Sequence, residues 1–564
     1  MKNDELDQSL LEALEERADY LPEKELTDVT AKSDFFNKIH KALISRGTKL
    51  IAGPRGSGKT HLMRYTYIEC KNSKKLPLCL YVSFNRYLRL EPFLKTKPDA
   101  IELFHVWVLA RILLSITELI ESLDPSAEEL LIERLVGFSV PDLKSAISLL
   151  ERGAPSDLEL DRDVSLVKTI EAIENTANYY NRKRSIILLD DAALTLTPEY
   201  MQELFDIIRS IKSSSISPKA SVYPGTTEYG PRFHVNHEAE MLSVWLPVTS
   251  PDYSSVMGDI ASNRGSDIGT IPLDVVEFIK YASFGIPRAF LVMLREFKRG
   301  GFNTSQQGLN QIIQKHNIWR KSEYMSLGLK IPKFQSMIDI GDKLLSNIVL
   351  DLKKANLDLA NKKEVQLILG LTNVEKPLEK RMLSLLVEAG MLYEHSSVSH
   401  GEDRQYQRYT PHISILIQQK AFPSSSIKGV VEFLNRKPTK HPVRRSIAKL
   451  LGKKYAGQLK INIPPCSQCD TPRINETQKF CHNCGSALVD ESTFARCMAL
   501  NLKEVTSLTK WQKGKVNELN IKSIGDFLAL QDPGTELRTL HRIGKKRART
   551  IIDSVEEYVD EFLS

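Results

Sequence analysis

Eight residues, Gly53-Pro54-Arg55-Gly56-Ser57-Gly58-Lys59-Thr60, constrain this chain more than any other segment. They follow the apolar run Leu50-Ile51-Ala52 and precede His61-Leu62-Met63-Arg64-Tyr65. The spacing G-x-x-x-x-G-K-T between a strand and a helix is that of a phosphate loop. Glycines let the backbone wrap around a phosphate, so that amide N–H groups and the helix N-terminus face negative charge. Lys59 is expected to neutralise the β- and γ-phosphates of ATP, and Thr60 to offer its hydroxyl to Mg²⁺. Nucleotide binding is therefore the first expectation.

At 564 residues the chain is too long for one hydrophobic core, and about three to five domains are expected. With 26% charged and 42% hydrophobic residues it reads as ordinary globular protein, not as a disordered or fibrous chain. The first residues show no basic segment followed by an apolar one. The stretch from Phe104 to Ile120 is broken by His105, Arg111 and Glu118, so no membrane partner is expected. Four of the seven cysteines fall between Cys466 and Cys484, which points to a metal site in a reducing cytoplasm and away from a disulfide framework. The net charge of +7 is unevenly spread. The first thirty residues are acidic, whereas Lys428 to Lys460 is basic through Arg436, Lys437, Lys440, Arg444, Arg445, Lys449, Lys453 and Lys454. That run reads either as a nucleic-acid contact or as a solvated linker.

A second strand is expected at Arg184-Ser185-Ile186-Ile187-Leu188-Leu189, ending on Asp190-Asp191. A continuous apolar run suits a buried parallel strand, and ligands of open α/β sheets bind at the carboxyl ends of such strands. Asp190 would hold Mg²⁺ through water, and Asp191 would orient or deprotonate the attacking water. Ala220-Ser221-Val222-Tyr223-Pro224-Gly225-Thr226-Thr227 reads as a further strand leading to polar residues able to sense a γ-phosphate. Gly285-Ile286-Pro287-Arg288-Ala289-Phe290 opens an apolar helix with Arg288 on its first turn, where a guanidinium reaches phosphate.

Phosphate loop, acid-tipped strand, polar sensor strand and a lid carrying G-x-P-R, in that order, resemble the AAA+ ATPases, above all the branch of origin-recognition and replication-loader ATPases. The resemblance covers roughly 27–301. It implies Lys59 and Thr60 as nucleotide ligands, Asp190 as metal ligand, Thr226 or Thr227 as first sensor (Thr227 is taken as the catalytic candidate) and Arg288 as second. The family usually has Glu where this chain has Asp191, one methylene shorter, which predicts slow or partner-dependent turnover. The long stretch between the two nucleotide motifs is expected to be a helical insertion. Arg209 and Arg232 are both candidates for an arginine finger acting on a neighbouring subunit.

In the C-terminal half, Leu367 to Leu371 is expected as a short helix, a turn follows at Thr372-Asn373, and a second helix starts at Pro377 and closes on Gly390. A hairpin from Met391 to Thr410 completes the order of a winged-helix domain, which the loader ATPases also carry after the lid. Cys466-x-x-Cys469 and Cys481-x-x-Cys484 resemble a zinc ribbon; four thiolates leave no open position on a tetrahedral Zn²⁺, so the metal is expected to be structural. Leu537 to Ile552 resembles a helix-hairpin-helix, with Gly544, Lys545, Lys546 and Arg547 at a helix N-terminus suited to DNA phosphates. Arg542 stands where that pattern usually has glycine.

The expected fold is thus multidomain α/β plus α, with a P-loop AAA+ core. Expected boundaries are an acidic helical arm at 1–26, the nucleotide core at 27–250 with its insertion at about 95–182, and a helical lid at 251–334. A winged helix at 335–425, a basic linker at 426–460, a zinc ribbon at 461–490 and a hairpin domain at 491–564 complete the chain. The expected function is a DNA-associated ATPase coupling ATP binding and hydrolysis to assembly on duplex DNA, in replication, transposition or antiviral (phage) defence. Self-association through the ATPase domain and an effector or operon-encoded protein partner are expected with it, Arg444 and Arg445 adding DNA contacts. The alternative is an ATP-gated scaffold or switch with little hydrolysis. No nuclease, deaminase or helicase motif is evident.

Overall fold

The computed structural model describes residues 18, 21–84, 90, 91, 93–151, 163–191, 197–264, 270–372, 374–399, 405–466, 468–475, 478, 480–486, 488, 493–519, 521–528, 530 and 532–563. Most of the expected acidic arm therefore lies outside the described residues. Strands β1 (Thr48–Ala52), β2 (Leu78–Ser83), β3 (Ser185–Asp190), β4 (Ile216–Val222) and β5 (Ala239–Ser243) form one sheet in the order β2-β3-β4-β1-β5. Strands β4 and β5 both run parallel to β1, which requires crossover connections and places the carboxyl ends of all three on one edge. Every residue of β3 and β4 is buried. Even Lys219 is enclosed, its amine donating to the Ser45 carbonyl at 2.8 Å and to that of Gly47. By contrast β5, at the sheet edge, is largely exposed.

The chain divides into two compact units. The first comprises Met1–Tyr81, Ser217–Thr226 and Ala239–Asn462. Here β1 feeds the phosphate loop, and helix α1 (Lys59–Asn72) leaves it. After β5 come helices Tyr253–Arg264, Leu273–Ala282 and α2 (Pro287–Arg299), then the long helices α3 (Ser305–Lys330) and α4 (Gln335–Asp358). Strands β6 (Glu364–Val365) and β7 (Leu369–Thr372) precede helix α5 (Pro377–Glu388). The hairpin β8 (Leu392–Ser399) and β9 (Gln405–Pro411) follows, and β10 (Lys437–Pro438) and β11 (Val443–Ser446) close this part. A four-stranded sheet has the order β11-β7-β9-β8.

Two expectations change here. The segment expected as a helix at 367–371 is strand β7: Leu369 and Leu371 are buried between β9 and β11, and paired strands on both sides overrule the weak helical preference of five residues. The basic run expected as a linker at 426–460 is folded. It supplies the helix Ile427–Leu434 and edge strand β11, and its Val430, Phe433, Leu434, Ile447, Tyr455 and Leu459 join a core extending from Trp245. Its lysines at 428, 437, 440, 449, 453 and 454 remain exposed, so one segment serves both the core and a charged outer face.

The second unit comprises Val82–Ile216, Thr227–Glu238 and Ile463–Ser564. Before β3 it is helical, at Ala100–Leu123, Glu129–Val136, Val140–Glu151 and Leu166–Tyr179. The first of these is long and apolar enough, by length and composition, to cross a membrane, but 78% of its apolar stretch is buried within the protein. Phe104 stacks on Tyr200 with ring centroids 4.3 Å apart, and Trp107 is wholly enclosed. Among the described residues the C-terminal segment carries the cysteine knuckles and five α-helices, the last being α6 (Lys545–Leu563).

Candidate nucleotide-binding site

The phosphate loop has the backbone its glycines permit. Gly56 and Gly58 take φ of +81° and +97°, left-handed values that disfavour a side chain. Close approach adds a second constraint: a Cβ on Gly53 would lie 2.6 Å from Ser57 Oγ, and one on Gly56 would lie 2.8 Å from Arg288 Cβ. Lys59 and Thr60 begin α1, whose first N–H groups lack intrahelical partners and present positive potential. Lys59 is buried, and its Nζ donates to the Gly53 carbonyl at 2.7 Å and the Pro54 carbonyl at 3.4 Å. The same ammonium lies 4.3 Å from the ring centroid of Tyr223. Ser57 Oγ is buried and, among the described residues, has no hydrogen-bond partner. An orphaned hydroxyl, two left-handed glycines, a lysine and a helix N-terminus together fit a nucleotide phosphate chain.

Arg288 is brought to this loop, as the sequence position suggested. Its backbone N–H donates to the Gly56 carbonyl at 3.3 Å, and Ile286, two residues earlier, also packs on Gly56. Pro287 occupies the first turn of α2, where its missing N–H costs nothing. At the end of β4, Thr226 is buried and engaged: its N–H and its hydroxyl both reach the carboxylate of Glu388, at 2.8 Å and 3.0 Å. Gly225 N–H donates to the same carboxylate at 2.8 Å. Thr227, the alternative sensor, is buried as well. Arg55 and Thr60 are half-buried.

Glu388 was not foreseen from the sequence. It is the last residue of α5, and burial raises its carboxyl above the usual carboxylate range, while hydrogen bonds from Thr226 and Gly225 and the charge of Lys59 pull the other way. Arg381, on the same helix, donates to the Gly225 carbonyl at 2.9 Å. Arg320, from α3, is fully enclosed and donates to the Ala389 carbonyl at 3.0 Å; burial lowers its pKa to about 10.

Within the second unit, Asp190 ends β3 and is buried, and its Oδ1 accepts from the Asp191 N–H at 3.0 Å. Asp191 is half-buried and holds a φ of +52°, a left-handed conformation that few non-glycine residues adopt. Of the two finger candidates, Arg209 is exposed on the last turn of Pro198–Ile211, and Arg232 pairs with Asp206 at 3.3 Å while 72% exposed.

The four cysteines converge. Their sulfurs lie within 4.8 Å of one another, with Cys466–Cys484 and Cys469–Cys481 each at 3.6 Å. Zinc–sulfur bonds of about 2.3 Å in a tetrahedron imply sulfur separations of about 3.8 Å, so the set fits Zn²⁺. The two knuckles repeat one backbone design: Cys466 N–H donates to Thr471 and Cys481 N–H to Ser486, with left-handed residues at Asp470 and Gly485 after the second cysteine of each.

In the tail, helix Pro533–Arg538 turns into α6, whose start exposes Gly544, Lys545, Lys546 and Arg547. Arg542 takes φ +68°, so it adopts the glycine conformation of the hairpin pattern despite its side chain. Its carbonyl accepts from Arg547 Nη1 at 2.8 Å. Arg444 and Arg445 are instead engaged within their own unit. Arg445 pairs with Asp351 at 2.6 Å, and Arg444 lies 4.4 Å from the centre of the Tyr406 ring.

No protein-family model and no curated protein matches the chain. Among solved structures it is similar to a Walker-type ATPase of Pyrococcus abyssi, at 13% identity over 68% of this chain and 94% of that one, with a TM-score of 0.34. The ORC1 protein of Aeropyrum pernix, solved in complex with DNA, matches at 14% identity over 70% and 93%, with a TM-score of 0.29.

Proposed function

We propose that this chain is an ATPase of AAA+ type whose nucleotide cycle governs assembly on duplex DNA. The observation that supports it best is the phosphate loop itself: buried Lys59 at a helix N-terminus, left-handed Gly56 and Gly58, and Arg288 packed on the loop from the lid. In this reading Gly53 to Gly58 wrap the phosphates with backbone N–H groups, and Lys59 leaves its carbonyl partners to neutralise them. Thr60 and Asp190 are assigned to Mg²⁺ on the strength of their motifs; the ion would neutralise charge on the terminal phosphates. Asp191, one methylene shorter than the glutamate usual at that place, is assigned to orient the attacking water. Thr226 or Thr227 senses the terminal phosphate, and Arg288 reports its loss.

Around this core the elements α4, β7, α5 and the β8–β9 hairpin are read as a winged helix, and the cysteine knuckles as a structural zinc ribbon. The basic hairpin of Gly544, Lys545, Lys546 and Arg547 is read as a backbone-directed DNA contact, weakly specific for sequence and sensitive to salt. Self-association through the ATPase domain, a cytoplasmic setting and an effector partner complete the proposal. A second reading is favoured by the engagement of Thr226 with Glu388 and by Asp191: a nucleotide-gated scaffold with little turnover.

Hydrolysis measured with and without duplex DNA, at low and moderate salt and beside Lys59→Ala, tests the proposal. Turnover that requires Lys59 and rises with DNA, less so at higher salt, is expected. Nucleotide binding without turnover in every condition would support the scaffold instead.

A further inference from the structure

Helix α5 ends on a buried carboxylate that no nucleotide motif accounts for. Glu388 Oε2 accepts from two successive backbone amides, Gly225 and Thr226, both at 2.8 Å, and the Thr226 hydroxyl lies 3.0–3.1 Å from its two oxygens. Successive amides turned to one point, with a hydroxyl beside them, form an anion-binding nest. The nest follows β4 by two residues, and the register Ala52–Val222 brings the start of the phosphate loop and Tyr223 to the same sheet edge. Lys59 is close enough for its charge to favour the ionised carboxylate. A glutamate thus holds an anion position among the groups that would meet a terminal phosphate.

The rest of the helix is fitted to the same place. Arg381, Leu385 and Glu388 fall on one face at helical spacing. Arg381 donates to the Gly225 carbonyl, and a Cβ on Gly225 would lie 2.7 Å from the Leu385 Cα, so loop and helix backbones touch. Just past the helix, Gly390 takes φ +68°, and a Cβ there would meet Arg320 at 2.5 Å, Ile286 at 3.2 Å and Pro54 at 3.4 Å. One end of α5 therefore rests on the sensor loop, and the residues after it rest on the phosphate loop and lid.

We propose that the Gly225–Thr226 nest is a terminal-phosphate site, that Glu388 occupies it as a resident anion, and that a nucleoside triphosphate displaces Glu388 and thereby undocks α5. The inference rests on the nucleotide-binding reading above and deepens it. Two anions cannot share three donors and one lysine without strong repulsion. A diphosphate lacks the competing group and leaves the helix docked. Coupling is reciprocal: whatever loosens Glu388 strengthens triphosphate binding by the same factor.

Glu388→Gln in the full-length protein tests this, with adenylyl imidodiphosphate and ADP titrated calorimetrically. The substitution removes the charge and puts an amide donor among donors. Affinity for the triphosphate analogue should rise about ten-fold, as expected for loss of one charged hydrogen-bonded contact, while that for ADP changes less than about two-fold. In the wild-type protein the analogue, but not ADP, should speed amide exchange at residues 225–226 and 377–390. This comparison decides alone if the variant folds poorly. An equal response to both nucleotides overturns the latch while leaving nucleotide binding intact. Unchanged analogue affinity with reduced turnover would make Glu388 a water-activating base and also overturn it. Absence of binding of either nucleotide to the wild type overturns both readings.

Discussion

The phosphate loop and the four-cysteine module are written in equally short motifs, yet they are held in opposite ways. Around the loop, Leu50, Ile51, Leu62, Met63 and Ile286 are all buried, and the glycines are pressed by Ser57 and Arg288. Around the cysteines the described residues offer almost no apolar interior. Cys466 and Cys481 are buried, but Ile474 is 71% and Phe480 64% exposed. A segment that small cannot stabilise itself by burial, and in the proposed reading a zinc ion on the four thiolates would hold it together. The first site is a product of the fold; the second, in the zinc reading, would be made by its metal.

That contrast is broken most forcefully by zinc removal. Structural zinc contributes about 10–16 kcal/mol to folding in isolated zinc-finger peptides, so chelation or Cys466→Ser should unfold residues 466–486. Amide exchange and a metal content of one zinc per chain are the measurements. Nucleotide affinity should change by less than about two-fold. Loss of nucleotide binding together with zinc would show that the two sites are not independently held.

The same contrast explains what was legible in the sequence. Phosphate loop, cysteine knuckles and tail hairpin are each local: their geometry follows from glycine conformations, thiolate spacing and helix starts within about twenty residues. Even the departure at Arg542 is local, since the turn forces φ +68° whatever the side chain. Glu388 was hidden for the opposite reason. Its partners lie 162 and 163 residues away, and on α5 it reads as one more charge in a mixed-charge helix. The basic run misled because charge and burial alternate along it: Lys428 is exposed while Val430 and Phe433 are buried. Average charge describes the outer face and is silent about the inner one.

The tail sharpens the comparison on the electrostatic side. Lys545 and Lys546 are exposed at the start of α6, so Lys545→Glu with Lys546→Glu should leave stability within about 0.5 kcal/mol. Duplex affinity should nonetheless fall about ten- to a hundred-fold, with the slope of log affinity against log salt reduced by about two. DNA-free turnover should be unaffected. Reversal at Arg445 should act differently, because Asp351 already holds that guanidinium and stability rather than DNA slope should suffer. Equal salt slopes before and after the tail substitution would remove the hairpin from the DNA contact.

The smallest effect expected is one of pH, and it falls on the unit that carries the phosphate loop. His61 follows Thr60 on α1 and lies half-buried, its Nε2 2.9 Å from the Thr30 hydroxyl; loss of solvation, aided by Arg264 and Arg64, pushes its pKa down to about 3. In the unfolded chain an imidazole titrates near 6.5, so below that pH the unfolded state gains a proton that the folded state refuses. Stability is therefore complete above about pH 6.5 and declines toward pH 3, by about 1.4 kcal/mol from this residue between pH 7.5 and 5.5. His316 and His412, both lowered first by burial and then by Arg320, act with the same sign in the same window. Melting of α1 and its neighbours, followed by amide exchange at pH 7.5 and 5.5, should show the loss, and His61→Asn should reduce its pH slope by about one proton. An unchanged slope in that variant would mean that His61 is protonated where it lies, and that the start of α1 is far better solvated than its burial indicates.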